Sequence, residues 1–183
     1  RQMCIRDSEG AEVTISPICR DNLNELICAV KNTKHAQIVI TLGGVSKGNY
    51  DLIRKHYRKL GIKILVDGIP IKPGKPLIIG KLDSKIIFCL PGNPISSIVC
   101  SKLFIVALIK KMLGDKFKRI ITRKALLSED LEIPISQREH YMRAFTYQEA
   151  ATQYVKPFSQ QDSSLHSVLI KSNCLLIIPP GSS

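Results

Sequence analysis

The sequence predicts an α/β protein with a parallel sheet covered on both faces, followed by a smaller β-rich unit. Three observations predict it. Short unbroken apolar runs rich in Ile, such as Ala36 to Leu42 and Ile86 to Leu90, suit strands buried on both sides. Segments of helical periodicity lie between those runs, and strands alternating with helices imply right-handed crossovers. After Gly114 the helical pattern gives way to short segments separated by polar turns.

Taken in order, Ala11 to Ile18 reads as a strand and Arg20-Asp21-Asn22 as a turn. The helix that follows runs to about Val30, because Leu23, Leu26, Ile27 and Val30 share one face while Asn22 and Glu25 have the spacing of a capping box. The strand Ala36 to Leu42 ends on a glycine-rich stretch. A second helix is expected from Asp51 to Leu60, with Gly61 as its C-terminal stop. Strands are expected at Ile62 to Val66, Leu77 to Gly80 and Ile86 to Leu90, the last two joined by an Asp83-Ser84 turn. A long helix covers Ile95 to Leu113. Beyond it, Ile120 to Leu127, Glu139 to Tyr147, Tyr154 to Phe158 and Leu175 to Ile178 read as the strands of the second unit. The boundary is expected near Asp115 to Lys118.

Hydrophobic residues make up 44% of the 183 and aromatics 5%, which fits an ordinary globular core. The six cysteines, Cys4, Cys19, Cys28, Cys89, Cys100 and Cys174, contain no C-x-x-C pair, which argues for reduced thiols and against a zinc site or disulfide framework. The apolar stretch Ile95 to Met112 is interrupted by Lys102 and closed by Lys110 and Lys111, so it reads as a core helix and not a membrane span. The formal charge is +12, densest at Lys110, Lys111, Lys116, Lys118, Arg119, Arg123 and Lys124. A basic module for nucleic acid would carry such a charge. Here the cations are not interleaved with aromatics that could stack on bases, and solvated helix faces attracting a small anionic substrate explain them better.

Three loops carry candidate chemistry at the carboxyl edge of the sheet, where ligands of open α/β folds bind. The first is Gly43-Gly44-Val45-Ser46-Lys47-Gly48-Asn49-Tyr50-Asp51. Its glycines allow backbone N–H groups to approach an anion beside a helix N-terminus. Asp51 there is either a helix cap or a carboxylate for a metal or for acid–base work. The second is Lys72-Pro73-Gly74-Lys75-Pro76, a stiff loop whose two lysines suit an oxyanion. The third is Pro91-Gly92-Asn93-Pro94-Ile95-Ser96-Ser97, whose N–H groups and hydroxyls open the long helix.

These strings resemble a known family. TLGGVSKGNYD (Thr41 to Asp51), IKPGKPLIIGKL (Ile71 to Leu82) and LPGNPISS (Leu90 to Ser97) resemble three motifs of the MoeA family of molybdopterin molybdotransferases, in the same order and at similar spacing. REHYMRA (Arg138 to Ala144) and QDSSLHS (Gln161 to Ser167) look like the family's C-terminal domain, so the likeness runs from about Glu9 to Ser183.

The resemblance implies a three-layer molybdopterin-binding domain of the MogA and MoeA type over 9–114, then a small β-barrel-like domain over 119–183. The chain is expected to be a C-terminal fragment, truncated at both ends, inactive alone and homodimeric at full length. Residues 1–8 read as a sequencing-adapter artefact. The implied activity is insertion of molybdate into adenylylated molybdopterin with release of AMP, in the cytoplasm, assisted by Mg2+ and with an adenylyltransferase as possible partner. Asp51 would be the catalytic and metal-facing carboxylate. Lys72 and Lys75 would bind the oxyanion, and Gly43, Gly44, Ser46, Gly48, Gly92, Asn93 and Ser96 would line the cofactor pocket. Two departures stand out: Lys47 replaces a usual Val and Asn49 a usual acidic residue, making the local field more positive. The alternatives are a molybdopterin adenylyltransferase on the same fold, which usually lacks the appended β domain, or a basic nucleic-acid-binding module. A scaffolding role, as in gephyrin, has no independent support in this chain.

Overall fold

Alternation along one strand divides the first core in two. In β5 (Lys85–Leu90), Ile87 and Cys89 join one buried cluster, while Phe88 and Leu90 join another. Side chains of a strand point alternately to opposite faces, so a run apolar at every position needs cover on both sides. A computed structural model describes residues 9–20, 22–33, 35–43, 56–115, 122–161 and 166–182.

One cover is helix α1 (Leu23–Lys31). Its anticipated face, Leu23, Leu26, Ile27 and Val30, packs on the first cluster with Val39, Ile78 and Ile87. The cap forms as the spacing requires: Glu25 N donates to Asn22 Oδ1 at 2.8 Å, and the Glu25 carboxylate accepts from Asn22 Nδ2 and from Arg20 N. The other cover is one continuous helix made of α2 (Pro94–Cys100), a π-helical turn Ser101–Ile105 and α3 (Val106–Met112). Its Ile95, Val99, Leu103, Ile105 and Ile109 fill the second cluster.

Between these layers lie β1 (Ile38–Leu42), β2 (Lys63–Asp67), β4 (Ile78–Leu82) and β5, in the order β1-β5-β4-β2. β1 and β5 are parallel. The other two pairs are antiparallel, which makes the sheet mixed. The cause is local: β4 and β5 are joined by Asp83-Ser84 alone, with Asp83 at φ +51, and so short a link can only form a hairpin. The helix expected over 51–60 falls partly outside the described residues. Its end follows the expectation: Gly61 takes φ +73, Gly61 N donates to Arg58 O and Ile62 N to Tyr57 O, the paired bonds of a Schellman stop.

Ala11 to Ile18 is not a strand. It pairs with nothing described, and Ile15 and Ile18 are 65% and 97% exposed. Pro17 removes one ladder donor, and an extended segment without a partner gains nothing from its apolar positions.

The second sheet is built on β7 (Glu139–Glu149), flanked by β8 (Thr152–Pro157), β9 (Cys174–Ile178) and a two-residue strand β3 (Ile71–Lys72), with β6 (Leu126–Leu127) on β8. A short helix, α4 (His166–Lys171), precedes β9 where no helix was expected. Although β3 lies within the first unit in sequence, it pairs in parallel with Glu139 and His140 of β7. The lysine loop thus leaves its own sheet and joins the other.

Gly74 seats that loop on α2. It sits at φ +130, where a Cβ would lie 2.7 Å from Cys100 Sγ and 2.8 Å from Ile71 Cδ1. Cys100 is fully buried, and burial pushes its thiol up to about 12, so it serves packing and not thiolate chemistry. Gly74→Ala is therefore expected to lower stability by about 2 kcal/mol, from backbone strain and overpacking together. Chemical denaturation measures it, and an unchanged midpoint would show that the loop is not seated as described.

Candidate functional site

The lysine loop is closed by its own backbone. Gly68 N donates to Leu77 O, Ile69 N to Lys75 O and Leu77 N to Gly74 O, at 2.9, 3.0 and 3.1 Å, and the Lys72–Pro73 peptide is cis. The pairing of Lys72 with His140 then brings the loop against β7. Between loop, strand and the first turn of α2 lies a cavity of about 170 Å³, lined by Lys72, Pro73, Ser96, His140, Tyr141, Arg143 and Gln161. The space is large enough for a small polar ligand or several waters.

The charge of this cavity is its main chemical feature. Arg143 is only 1% exposed, between buried Met142 and Ala144. Burial first, then the positive charges of Lys72, Arg143 and Arg138, press His140 down to about 4. The imidazole is thus neutral near neutrality, and the field around it is strongly positive. Gln161 serves position. Its Oε1 accepts from Arg143 N, and its Nε2 donates to Arg143 O and Phe158 O, which holds the following loop to β7. Tyr141 donates to the Glu139 carboxylate; burial, then that carboxylate, raises its hydroxyl pKa.

Of the residues anticipated from sequence, Lys72 and Ser96 meet in this cavity. Lys75 is exposed and does not line it. Gly43 and Gly92 lie together at the carboxyl ends of β1 and β5: Gly43 N donates to Leu90 O, and a Cβ on Gly92 would lie 3.7 Å from Gly43 Cα. Asn93 is the N-cap of α2, its Oδ1 accepting from Ile95 N and Ser96 N at 3.0 and 3.2 Å. Those N–H groups are thus already engaged by a side chain. Ser97 Oγ donates to Pro91 O inside the core. Gly44, Ser46, Gly48 and Asp51 lie outside the described residues. His140, Tyr141, Arg143 and Gln161 were not anticipated as site residues, although a lone Arg between apolar neighbours in HYMRAF was a readable signal.

A wider groove of about 1940 Å³ runs along α3 and the second sheet, with Val106, Leu169 and Ile177 among its lining. Converging cations and polar groups favour the smaller cavity as the chemical site. None of the five described cysteines is in a disulfide. No described helix is long and apolar enough to cross a membrane.

Residues 4–111 match a family described as "Probable molybdopterin binding domain". The chain belongs to that molybdopterin-binding family. Residues 127–183 match the "MoeA C-terminal region (domain IV)". The first match starts within the stretch read above as an adapter remnant, and together the two bracket the expected boundary. A molybdopterin molybdenumtransferase from Staphylococcus aureus (strain COL) is 32% identical over 177 residues, 94% of this chain and 41% of that protein. One from Haemophilus influenzae is 34% identical over 145 residues, 78% of this chain and 35% of that protein. A crystal structure of a MoeA molybdopterin biosynthesis protein from Pyrococcus horikoshii aligns with TM-score 0.74 and 27% identity, over 97% of this chain and 42% of that one. The chain thus spans about two fifths of the length of these relatives.

Proposed function

We propose that this protein acts in molybdenum cofactor assembly as a molybdotransferase, moving molybdate onto adenylylated molybdopterin with release of AMP. The observation that carries the reading is the cationic cavity between the lysine loop and β7. Molybdate is a tetrahedral dianion. Lys72 and Arg143 offset its charge, Ser96 offers a hydroxyl and Gln161 holds the strand that carries Arg143. The pterin's place, on the family likeness, is the edge where Gly43 and Gly92 meet, completed by Gly44, Ser46 and Gly48. Asn93 supports that edge as the cap of α2.

Assistance by Mg2+ belongs to the same reading, with Asp51 as its carboxylate. Among the described residues no cluster of His, Cys, Asp or Glu could hold a metal ion, so the described donor set does not fit one. Homodimerisation, an adenylyltransferase partner and a cytoplasmic setting complete the proposal. Its test is reconstitution: the full-length protein, adenylylated molybdopterin and molybdate should together activate a molybdenum-dependent apoenzyme. Failure with all three components present would refute the activity.

The two lysines are expected to differ. Lys72→Ala should weaken molybdate dependence about tenfold, the loss of one charge-assisted hydrogen bond. Lys75→Ala should cost less, because Lys75, exposed like Lys72, does not line the cavity. Equal losses, read from rate against molybdate concentration, would contradict this placement.

A further inference from the structure

We infer that Gln161 is the positioning residue of the oxyanion seat, its side-chain amide standing where a strand partner of Arg143 would stand. The inference rests on the reading of the cavity as that seat and adds how the seat is kept open. Among the described residues β7 has three strand neighbours on its two edges. His140 pairs with Lys72 of β3 and with Ile178 of β9, and Ala144 pairs with Pro157 of β8 and with Cys174 of β9. β9 therefore holds one edge, while β3 and β8 share the other. Along the shared edge β3 ends opposite His140, and the β8 register begins at Ala144. Tyr141, Met142 and Arg143 fall in the interval, with no described strand in register on that side. The cavity opens there, lined by Pro73, just past the end of β3, and by Tyr141 and Arg143.

A strand continued through the interval would lie about 4.8 Å from β7 and fill it. Gln161 reaches the same backbone with a side chain instead. Arg143 N donates to Gln161 Oε1 at 3.0 Å, and Gln161 Nε2 donates to Arg143 O at 2.9 Å and to Phe158 O at 2.7 Å. Phe158 N also donates to Arg143 O, at 3.1 Å. In a continued antiparallel ladder Arg143 N would donate to Phe158 O itself. The amide is inserted between those two groups, accepting from one and donating to the other. Both protons of Nε2 are thereby engaged within the chain, so Gln161 acts on an anion through Arg143. With its N and O both held, Arg143 has its backbone fixed before the anion arrives. Groups ordered in advance bind more tightly than groups that binding must order.

The test is calorimetric titration of the full-length protein with sodium molybdate. Gln161→Met keeps the length of the side chain and removes the amide. Its affinity should be roughly tenfold weaker, inside the range that displacement of a binding group produces, while the insertion rate at saturating molybdate stays near the parent's. The same change is then made in an Arg143→Met background. A residue that acts through the guanidinium has nothing left to position there, so affinity should fall no further. Losses that multiply would overturn the inference, since Gln161 would then act independently of Arg143. Unchanged affinity in Gln161→Met alone would overturn it too, while leaving the seat intact. Should the variant fail to fold, hydrogen exchange in the unaltered protein decides. The Arg143 amide and the Gln161 carboxamide protons should be protected before molybdate is added, and no more so afterwards. Protection that appears only with molybdate, or exchange as fast as in an exposed glutamine, overturns the inference. Absence of molybdate binding by the parent removes the seat itself.

Discussion

Replacing Arg143 with Met is expected to lower oxyanion affinity roughly 100-fold, the upper end of a hydrogen bond to a charged group. The exchange removes one of the cations that line the cavity. It also lifts one of the charges that depress His140, whose titration should move upward towards its ordinary value. Molybdate calorimetry and imidazole NMR read the two consequences independently. Undiminished affinity would show that the guanidinium is structural.

Asp51→Asn should separate capping from chemistry. Asp51 closes the motif GGVSKGNYD, and Asn and Asp are comparable helix caps. If the residue only caps, the variant keeps both stability and molybdenum insertion. The expected result is different: stability within about 1 kcal/mol of the parent, with cofactor formation from adenylylated molybdopterin reduced about 100-fold, the scale of a lost acid–base group. A stable variant that inserts molybdenum normally would return Asp51 to being a cap.

His140 also imposes a pH dependence on folding. Its folded pKa, about 4, lies below the ordinary 6.5, so between those values the unfolded chain binds more protons. Its contribution to stability is therefore present above that window and is lost as pH falls through it.

Much of the first unit could be read from sequence because its elements are long enough to show a period. Leu23, Leu26, Ile27 and Val30 pack as their spacing required, and Asn22 with Glu25 formed the cap. Gly61 ended its segment by the chemistry glycine alone offers cheaply there. The hairpin at Asp83-Ser84 was legible too, since two turn residues cannot support a crossover, yet the alternation with helices argued for a parallel sheet. What stayed hidden was non-local. β3 has two residues and no pattern of its own, and only β7 gives it a role. Half of the cavity comes from that second sheet, whose Arg143 and His140 lack the glycines and prolines that mark the loops. Asn93 shows the opposite error. Its loop looked open to a phosphate, but an Asn before a helix satisfies those donors itself.

The passage of Ile71–Lys72 into the second sheet means that the boundary expected near Asp115 to Lys118 does not divide two separable machines. A chain cut there would yield one piece carrying Lys72 and Ser96 and another carrying His140, Arg143 and Gln161, neither with a closed cavity. Exchange of one half between relatives would preserve anion handling only where the incoming β7 accepts the resident loop in register. On the proposed reading, the unit of this chemistry is the pair of sheets, divided by a boundary that looks, in the sequence, like an invitation to recombine.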